Sequence, residues 1–348
     1  MKTFHPRGLK KLKVNRFACF AVACLASGAA VAGYAQQNRQ AAAATDIEIA
    51  PVRGNIYLLA GAGANITLSV GSDGVLMVDS GTADMSAKVI AAIHKLQNEI
   101  AMQGQPKSAI QPVKPIRYIL NTSALPDHTG GNPALAQAGK TFTGGNVAGD
   151  LGDVGEGAAI ASHENVLQRL SDAKMATRGL PTETYFGSQM KLSHFFNGEG
   201  VQLLHIPNAI TDGDSIVNFR LSDVISAGDI FDFRSYPPID LQKGGSIQGV
   251  LAGLNKMLEM VIPEFRSEGG TYVIPGHGRI CDTADLAYYR DMTTIIRDRV
   301  QDAMKKGMTL DQIKASHPTE DWDGRFGKAA YTPDMFVDAV YKSLSAKK

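Results

Sequence analysis

The chain predicts a layered sandwich of mixed α/β or α+β type, on three observations. Short apolar runs of strand length alternate with segments of helical periodicity from Ile47 onward. Some of the neighbouring strand candidates are joined by a tight turn and others by a helix. Neither an internal repeat nor a low-complexity linker divides the region, so the elements fold as layers around shared cores. With 348 residues, the chain is long enough for one large domain or two small ones.

The elements follow in order. Asn65 to Val70, a turn at Gly71-Ser72-Asp73-Gly74, and Val75 to Val78 read as a hairpin. Asp84 to Glu99 places Val89, Ile90, Ile93 and Leu96 on one helix face. Ala101 to Pro115 is polar, rich in Gln and Pro, and reads as a surface loop before a strand at Ile116 to Leu120. Asn132-Pro133 offers an N-cap and a first-turn proline for a short helix ending at Gly139. Residues 143–200 are less regular, with a helix at Glu164 to Ser171. Strands are expected at Val201 to His205, Ser215 to Phe219 and Val224 to Ala227. Ser246 to Met260 is an amphipathic helix, and Thr271 to Ile274 a strand stopped by Pro275-Gly276. From Asp282 the tail reads as helical, with a capping-box pair at Thr309 and Gln312 and another helix start at Thr332-Pro333.

The N-terminus reads as an export signal. Lys2, Arg7, Lys10, Lys11, Lys13 and Arg16 precede a mostly apolar run from Phe17 to Val31, and Gly33-Tyr34-Ala35 offers small residues for cleavage before Gln36. The alternative is an uncleaved anchor, although Ser27 and Gly28 interrupt the apolar run. Residues 36–46 read as a flexible lead-in. Export to a bacterial periplasm is the expected destination. Six of the 35 basic residues and none of the 34 acids lie in residues 1–35, so a mature chain carries a net charge of −5. A mildly acidic chain with scattered charge is not built to neutralise phosphates, so nucleic acid is not an expected partner. Cys19 and Cys24 fall in the leader, which leaves Cys281 alone and excludes an internal disulfide in the mature protein.

Four segments end expected strands in polar residues that packing does not explain. They are Val75-Leu76-Met77-Val78-Asp79-Ser80-Gly81, Asn121 to Asn132 (with Asp127-His128 at its centre), Pro207 to Asp214 followed by Ser226-Ala227-Gly228-Asp229, and Ile274-Pro275-Gly276-His277-Gly278. In this order the set resembles the metallo-β-lactamase superfamily over about Ile47 to Cys281. The resemblance implies a four-layer αβ/βα sandwich over 47–281, with 282–348 as a C-terminal helical extension packed on or near it.

The resemblance also implies two metal positions at the strand ends, and here the match is uneven. The family's His-x-His-x-Asp-His motif falls on Ser123, Leu125, Asp127 and His128, and its next histidine falls on Ile210. The ligands of the first metal position are therefore lost at Ser123, Leu125 and Ile210. Asp127, His128, Asp229 and His277 match the second position and survive as a set. Two imidazoles and two carboxylates suffice for one Zn²⁺, or Fe²⁺. Asp127 and Asp229 are the expected catalytic carboxylates, and Asp79 the acid that supports the site from behind.

Taken singly, these residues have structural explanations. Asp127 and Asp229 could cap turns, and His277 between glycines could be a satisfied core histidine. Taken as a set of four they favour metal binding. Asp212 and Asp214 are expected to shape their own turn. His94, His163, His194, His205 and His317 match no ligand position. The expected function is hydrolysis of an ester, thioester or lactam-type bond in a small-molecule substrate. The competing reading is an inactive relative that uses the old pocket to bind a ligand or partner.

Overall fold

The structure, a computed structural model, describes residues 47–103, 113–141, 157–192, 195–261 and 269–346. The export signal, the lead-in, most of the loop expected over 101–115 and His194 lie outside the described residues.

The first sheet has seven strands in sequence order. These are β1 (Glu48–Arg53), β2 (Ile56–Ala62), β3 (Ala64–Gly71), β4 (Gly74–Val78), β5 (Ile116–Leu120), β6 (Ala159–His163) and β7 (Glu183–Tyr185). β1 to β4 form an antiparallel meander, with the expected hairpin closing at Gly71 opposite Gly74. β4 to β7 are parallel. The change follows from the connections: a two-residue turn joins β3 to β4, whereas α1 (Ser86–Met102) intervenes before β5.

The second sheet has five strands, β8 (Gln189–Lys191), β9 (Val201–His205), β10 (Ser215–Phe219), β11 (Val224–Ser226) and β12 (Tyr272–Ile274), in reversed order across the sheet. Only the β11–β12 pair is parallel.

Three apolar clusters separate four layers. Val89, Ile93 and Leu96 of α1, with Leu135 of the short helix α3 (Asn132–Ala138), cover Ile66, Leu68, Met77 and Ile119 on one face of the first sheet. Leu76, Leu120 and Ala161 of that sheet meet Leu203, Val217 and Val224 of the second. The far side of the second sheet is covered by α5 (Ile247–Met260) and α6 (Thr283–Lys305), through Val250, Leu254, Tyr289 and Ile296. β4 and β5 are buried along their whole length because helices lie on one side and a sheet on the other, which explains why both read as unbroken apolar runs.

The C-terminal helices α7 (Leu310–Ala315), α8 (Glu320–Phe326) and α9 (Pro333–Ser345) join this last cluster through Ile313, Phe326, Phe336 and Val340. Tyr236 is the anchor. Its ring stacks on Phe336 at 5.1 Å between centroids, and its hydroxyl donates to Asp323 Oδ1 at 2.8 Å. The extension is thereby packed against the segment that follows Asp229.

Two local expectations need correction. Asn132 does not cap α3: it is the first helical residue, and its amide exchanges hydrogen bonds with Asn121 at 2.8 and 3.2 Å. That exchange ties the helix start to the end of β5, a tertiary contact that outcompetes local capping. Asp212 does not shape its turn with its carboxylate, which instead pairs with Arg169 Nε at 2.6 Å, from the helix α4 (Glu164–Asp172). Asp214 does shape it, accepting from Thr211 N at 2.6 Å and Thr211 Oγ1 at 3.0 Å. Burial pushes the Asp214 carboxyl up to about 7.

Candidate metal centre

The site lies where the ends of five strands meet. Asp79 follows β4. The one-turn helix α2 (Pro126–Thr129), after β5, carries Asp127 and His128. Ile210 follows β9, Asp229 follows β11, and His277 follows β12. The two sheets are laced together at this rim: Ser215 N donates to Thr122 O at 2.8 Å, and Asn65 N to Gly276 O at 2.7 Å.

His128 is the most enclosed ligand-type residue, with no exposed surface. Its Nδ1 donates to Asp79 Oδ2 at 2.7 Å. Asp79 is held ready for this by Thr122, whose N–H and hydroxyl donate to its two oxygens at 2.8 and 2.6 Å. The backbone at Asp79 has φ of 63°, a left-handed turn that aspartate tolerates better than most residues and that brings the carboxylate back under the strand end. With Nδ1 fixed in this way, Nε2 is turned toward the other acids. It stands 3.1 Å from Asp229 Oδ1 yet lacks an aligned hydrogen-bond partner.

Asp229 and His277 complete the centre. Asp229 Oδ1 also lies 3.1 Å from His277 Nδ1, and Asp127 Oδ2 lies 3.1 Å from His277 Nε2. Gly276 makes this approach possible, because a side chain there would strike the Asp229 carboxylate. Asn65 fixes the histidine loop from the first sheet, donating from its amide to Pro275 O at 2.9 Å and Gly278 O at 3.0 Å. One ligand-type atom from each of Asp127, His128, Asp229 and His277 falls within 4.8 Å of the others. An ion with bonds of about 2.0–2.2 Å is reached from there by small side-chain movements. The unaligned, buried Nε2 of His128 faces this point, so the donor set fits a divalent metal.

The electrostatics follow from the packing. His128 between Asp79 and Asp229 is held well above the usual imidazole range, against a strong opposing effect of burial. His277 is raised to about 10, burial again opposing, by its hydrogen bonds to Asp127 and Asp229. Asp127 and Asp229 are both held below the usual carboxylate range: burial opposes this, and the hydrogen bond to His277 for Asp127 and the charge of His128 for Asp229 outweigh it. In the metal-free protein the carboxylates favour the protonated form of both imidazoles, so an ion displaces protons on binding.

A pH dependence results. A histidine whose folded value exceeds its unfolded value near 6.5 stabilises the fold fully below about 6.5 and loses that contribution as pH rises toward 10. The depressed carboxylates act oppositely, contributing above about 4 and failing as pH falls. Metal-free protein is expected to be most stable between these limits and to lose stability steadily from pH 6.5 to 10, measured by denaturant unfolding across pH. A flat profile over that interval would contradict the assigned ion pairs.

The three positions without ligand chemistry are filled by packing. Ile210 is fully buried in the cluster that holds α5 and α6, and Leu125 packs against the same cluster. The buried Ser123 hydroxyl accepts from Leu125 N at 3.2 Å.

The structure thus brings Asp127, His128, Asp229 and His277 together, with Asp79 behind His128. It keeps the remaining described histidines apart from them. His163 and His205 stack on each other at 3.6 Å, while His94 and His317 are exposed. Three further residues belong to the site without a signal in the sequence motifs: Asn65, Thr122 and Asp232, whose Oδ2 lies 3.8 Å from His277 Nδ1. Thr122, next to Ser123, is the one with a signal outside the motifs, because a buried strand-end acid such as Asp79 requires nearby donors. Cys281 is buried with its thiol pushed up to about 12, mainly by burial, which makes it an unreactive core residue. A cleft of about 630 Å³ between Pro238–Gln242 and Lys314, Tyr331 and Lys342 contains none of the cluster's residues, so chemistry rather than cavity size marks the centre.

Residues 59–277 match the family model of the metallo-beta-lactamase superfamily. The chain belongs to that superfamily. Among solved structures it is similar to the stereoselective inverting sec-alkylsulfatase Pisa1 from Pseudomonas sp., with a TM-score of 0.59 and 16% identity over 85% of this chain and 50% of that one. It is also similar to the protein TMB-1, with a TM-score of 0.50 and 13% identity over 72% of this chain and 97% of that one. The chain spans half the length of the sulfatase. These likenesses concern the fold. No curated protein matches the chain significantly.

Proposed function

We propose that the chain is a hydrolase working with one metal ion, zinc or iron, held by Asp127, His128, Asp229 and His277. The observation that carries this reading is the buried Nε2 of His128. It is oriented by Asp79, faces two carboxylates and a second imidazole, and is left without an aligned hydrogen bond. Two imidazoles and two carboxylates gathered at one largely buried point give a divalent cation a ready donor set.

When bound, the ion supplies Lewis acidity and a water of lowered pKa. The protein's own groups do the rest. Asp127, whose side chain is 35% exposed, is the member of the set most open to solvent and the carboxylate placed to take a proton from incoming water. Asp229, buried between the two imidazoles, is placed to accept from and orient a bound water. Leu125, partly exposed beside the set, offers an apolar contact suited to an apolar substrate group, with Ile210 buried in the core behind it. An ester, thioester or lactam-type bond in a small molecule is the substrate class. The expected setting is the periplasm after export, with no nucleic-acid partner. No helix among the described residues is long and apolar enough to cross a membrane.

The apolar filling of the first position also favours a second reading, a catalytically inactive binding protein. The double variant Asp127→Ala/His277→Ala separates the two. Loss of both bound metal and hydrolysis across a panel of esters, thioesters and lactams is expected. Hydrolysis by the wild type that survives in the double variant would overturn the assignment of this centre, and a wild type inactive on the whole panel would favour the binding protein.

A further inference from the structure

His277 presents both ring nitrogens to carboxylates, but only one nitrogen can serve an ion, and the other must keep its proton. Nε2 faces Asp127 at 3.1 Å, while Nδ1 faces Asp229 at 3.1 Å and Asp232 Oδ2 at 3.8 Å. Asp127 and Asp229 both belong to the ligand set. Asp232 does not, and it is as firmly fixed as they are. Ser235 Oγ donates to its Oδ2 at 2.7 Å and Arg234 N to its Oδ1 at 2.8 Å, and the residue is only 6% exposed. These two donors leave acceptor capacity on the carboxylate, and His277 is the imidazole in front of it, with Nδ1 3.8 Å from Oδ2.

The arrangement repeats at the other histidine, where Asp79 is held by Thr122 and fixes Nδ1 of His128. Each imidazole of the centre therefore has an acid of its own behind it. We propose that Asp232 is a positioning residue for metal capture. It accepts the N–H of His277 that does not serve the ion, and so sets the tautomer and orientation of that ring. The inference rests on the single-metal reading above. In the metal-free arrangement Asp229 competes for the same nitrogen. Once Asp229 is committed to an ion, Asp232 is the acid left to hold the proton. With half of the superfamily's ligands gone, the alignment of each remaining imidazole weighs more on affinity.

The test is the dissociation constant for Co²⁺ and Zn²⁺, by competition with a chromophoric chelator, in the wild type, Asp232→Asn and Ser235→Ala. Asp232→Asn is expected to bind about 10- to 100-fold more weakly and to shift the visible bands of the cobalt form. The ring ¹⁵N resonances of His277 in the zinc form should lose the signature of an N–H donated to a carboxylate. A merely structural role would move neither spectrum while affinity held. If Asp232→Asn does not fold, Ser235→Ala decides: it loosens the same carboxylate without removing it, and a several-fold weaker affinity is expected. Wild-type affinity and spectra in the readable variant would overturn the role of Asp232 and leave the single-metal reading intact. A wild type that binds no ion would overturn both.

Discussion

Replacing His128 by alanine is expected to abolish metal binding and to destabilise the metal-free fold by about 3–5 kcal/mol, the usual cost of removing one partner from a buried ion pair. The imidazole has no exposed surface and lies between Asp79, at 2.7 Å, and Asp229, at 3.1 Å. Alanine leaves both carboxylates buried and facing a void. Thr122 still donates two hydrogen bonds to Asp79, so the loss falls mainly on Asp229, whose other imidazole partner is His277. Denaturant unfolding of metal-free wild type and variant at pH 6 checks the stability, and elemental analysis checks the metal. A variant that unfolds within 1 kcal/mol of wild type and keeps its ion would show that His128 is a loop residue whose position near the acids is incidental.

The triple replacement Ser123→His, Leu125→His and Ile210→His is expected to raise metal content from one ion per chain to two. The resemblance in the sequence aligns these three with histidines of a first metal position; Ser123 and Leu125 share the end of β5 with Asp127 and His128, and Ile210 follows β9 at the same rim. The structure adds a cost. Ile210 is fully buried and Leu125 packs on the same cluster, so the metal-free triple variant should lose about 2–5 kcal/mol. Zinc binding should return much of that loss, about 4 kcal/mol at a thousandfold excess over the dissociation constant. A zinc-dependent rise in the melting temperature larger than that of the wild type at the same concentrations is the measurable sign. A variant that still binds a single ion would contradict the alignment of Ser123, Leu125 and Ile210 with the vacated ligands.

Much of the scaffold was legible because period and punctuation agree along the chain. The hairpin closing at Gly71-Gly74, the strand Ile116–Leu120 and the helix of Ser246 with its side-chain cap all coincide with local signals. Elements that depend on partners were not legible. β7 and β8 are three-residue strands that exist only as neighbours of β6 and β9, so no periodicity announces them. Asn132 looks like a cap in sequence, but its amide is taken by Asn121 from the end of another strand. At the site, the ligand-type residues were readable as motif positions, because each ends a strand. Asp232 and Asn65 were not, since only folding brings the segment after Asp229 and the start of β3 to the loop that carries His277.

The central claim is that half of an ancestral two-metal centre survives as a working one-ion site. Metal content per chain, measured on mature protein purified without chelators and with zinc and iron both supplied, tests it most directly. The account predicts about one tightly held ion, removed by chelation and restored on adding metal back. A protein that holds no ion even after reconstitution would contradict it, leaving Asp127, His128, Asp229 and His277 as a hydrogen-bonded remnant in a binding protein.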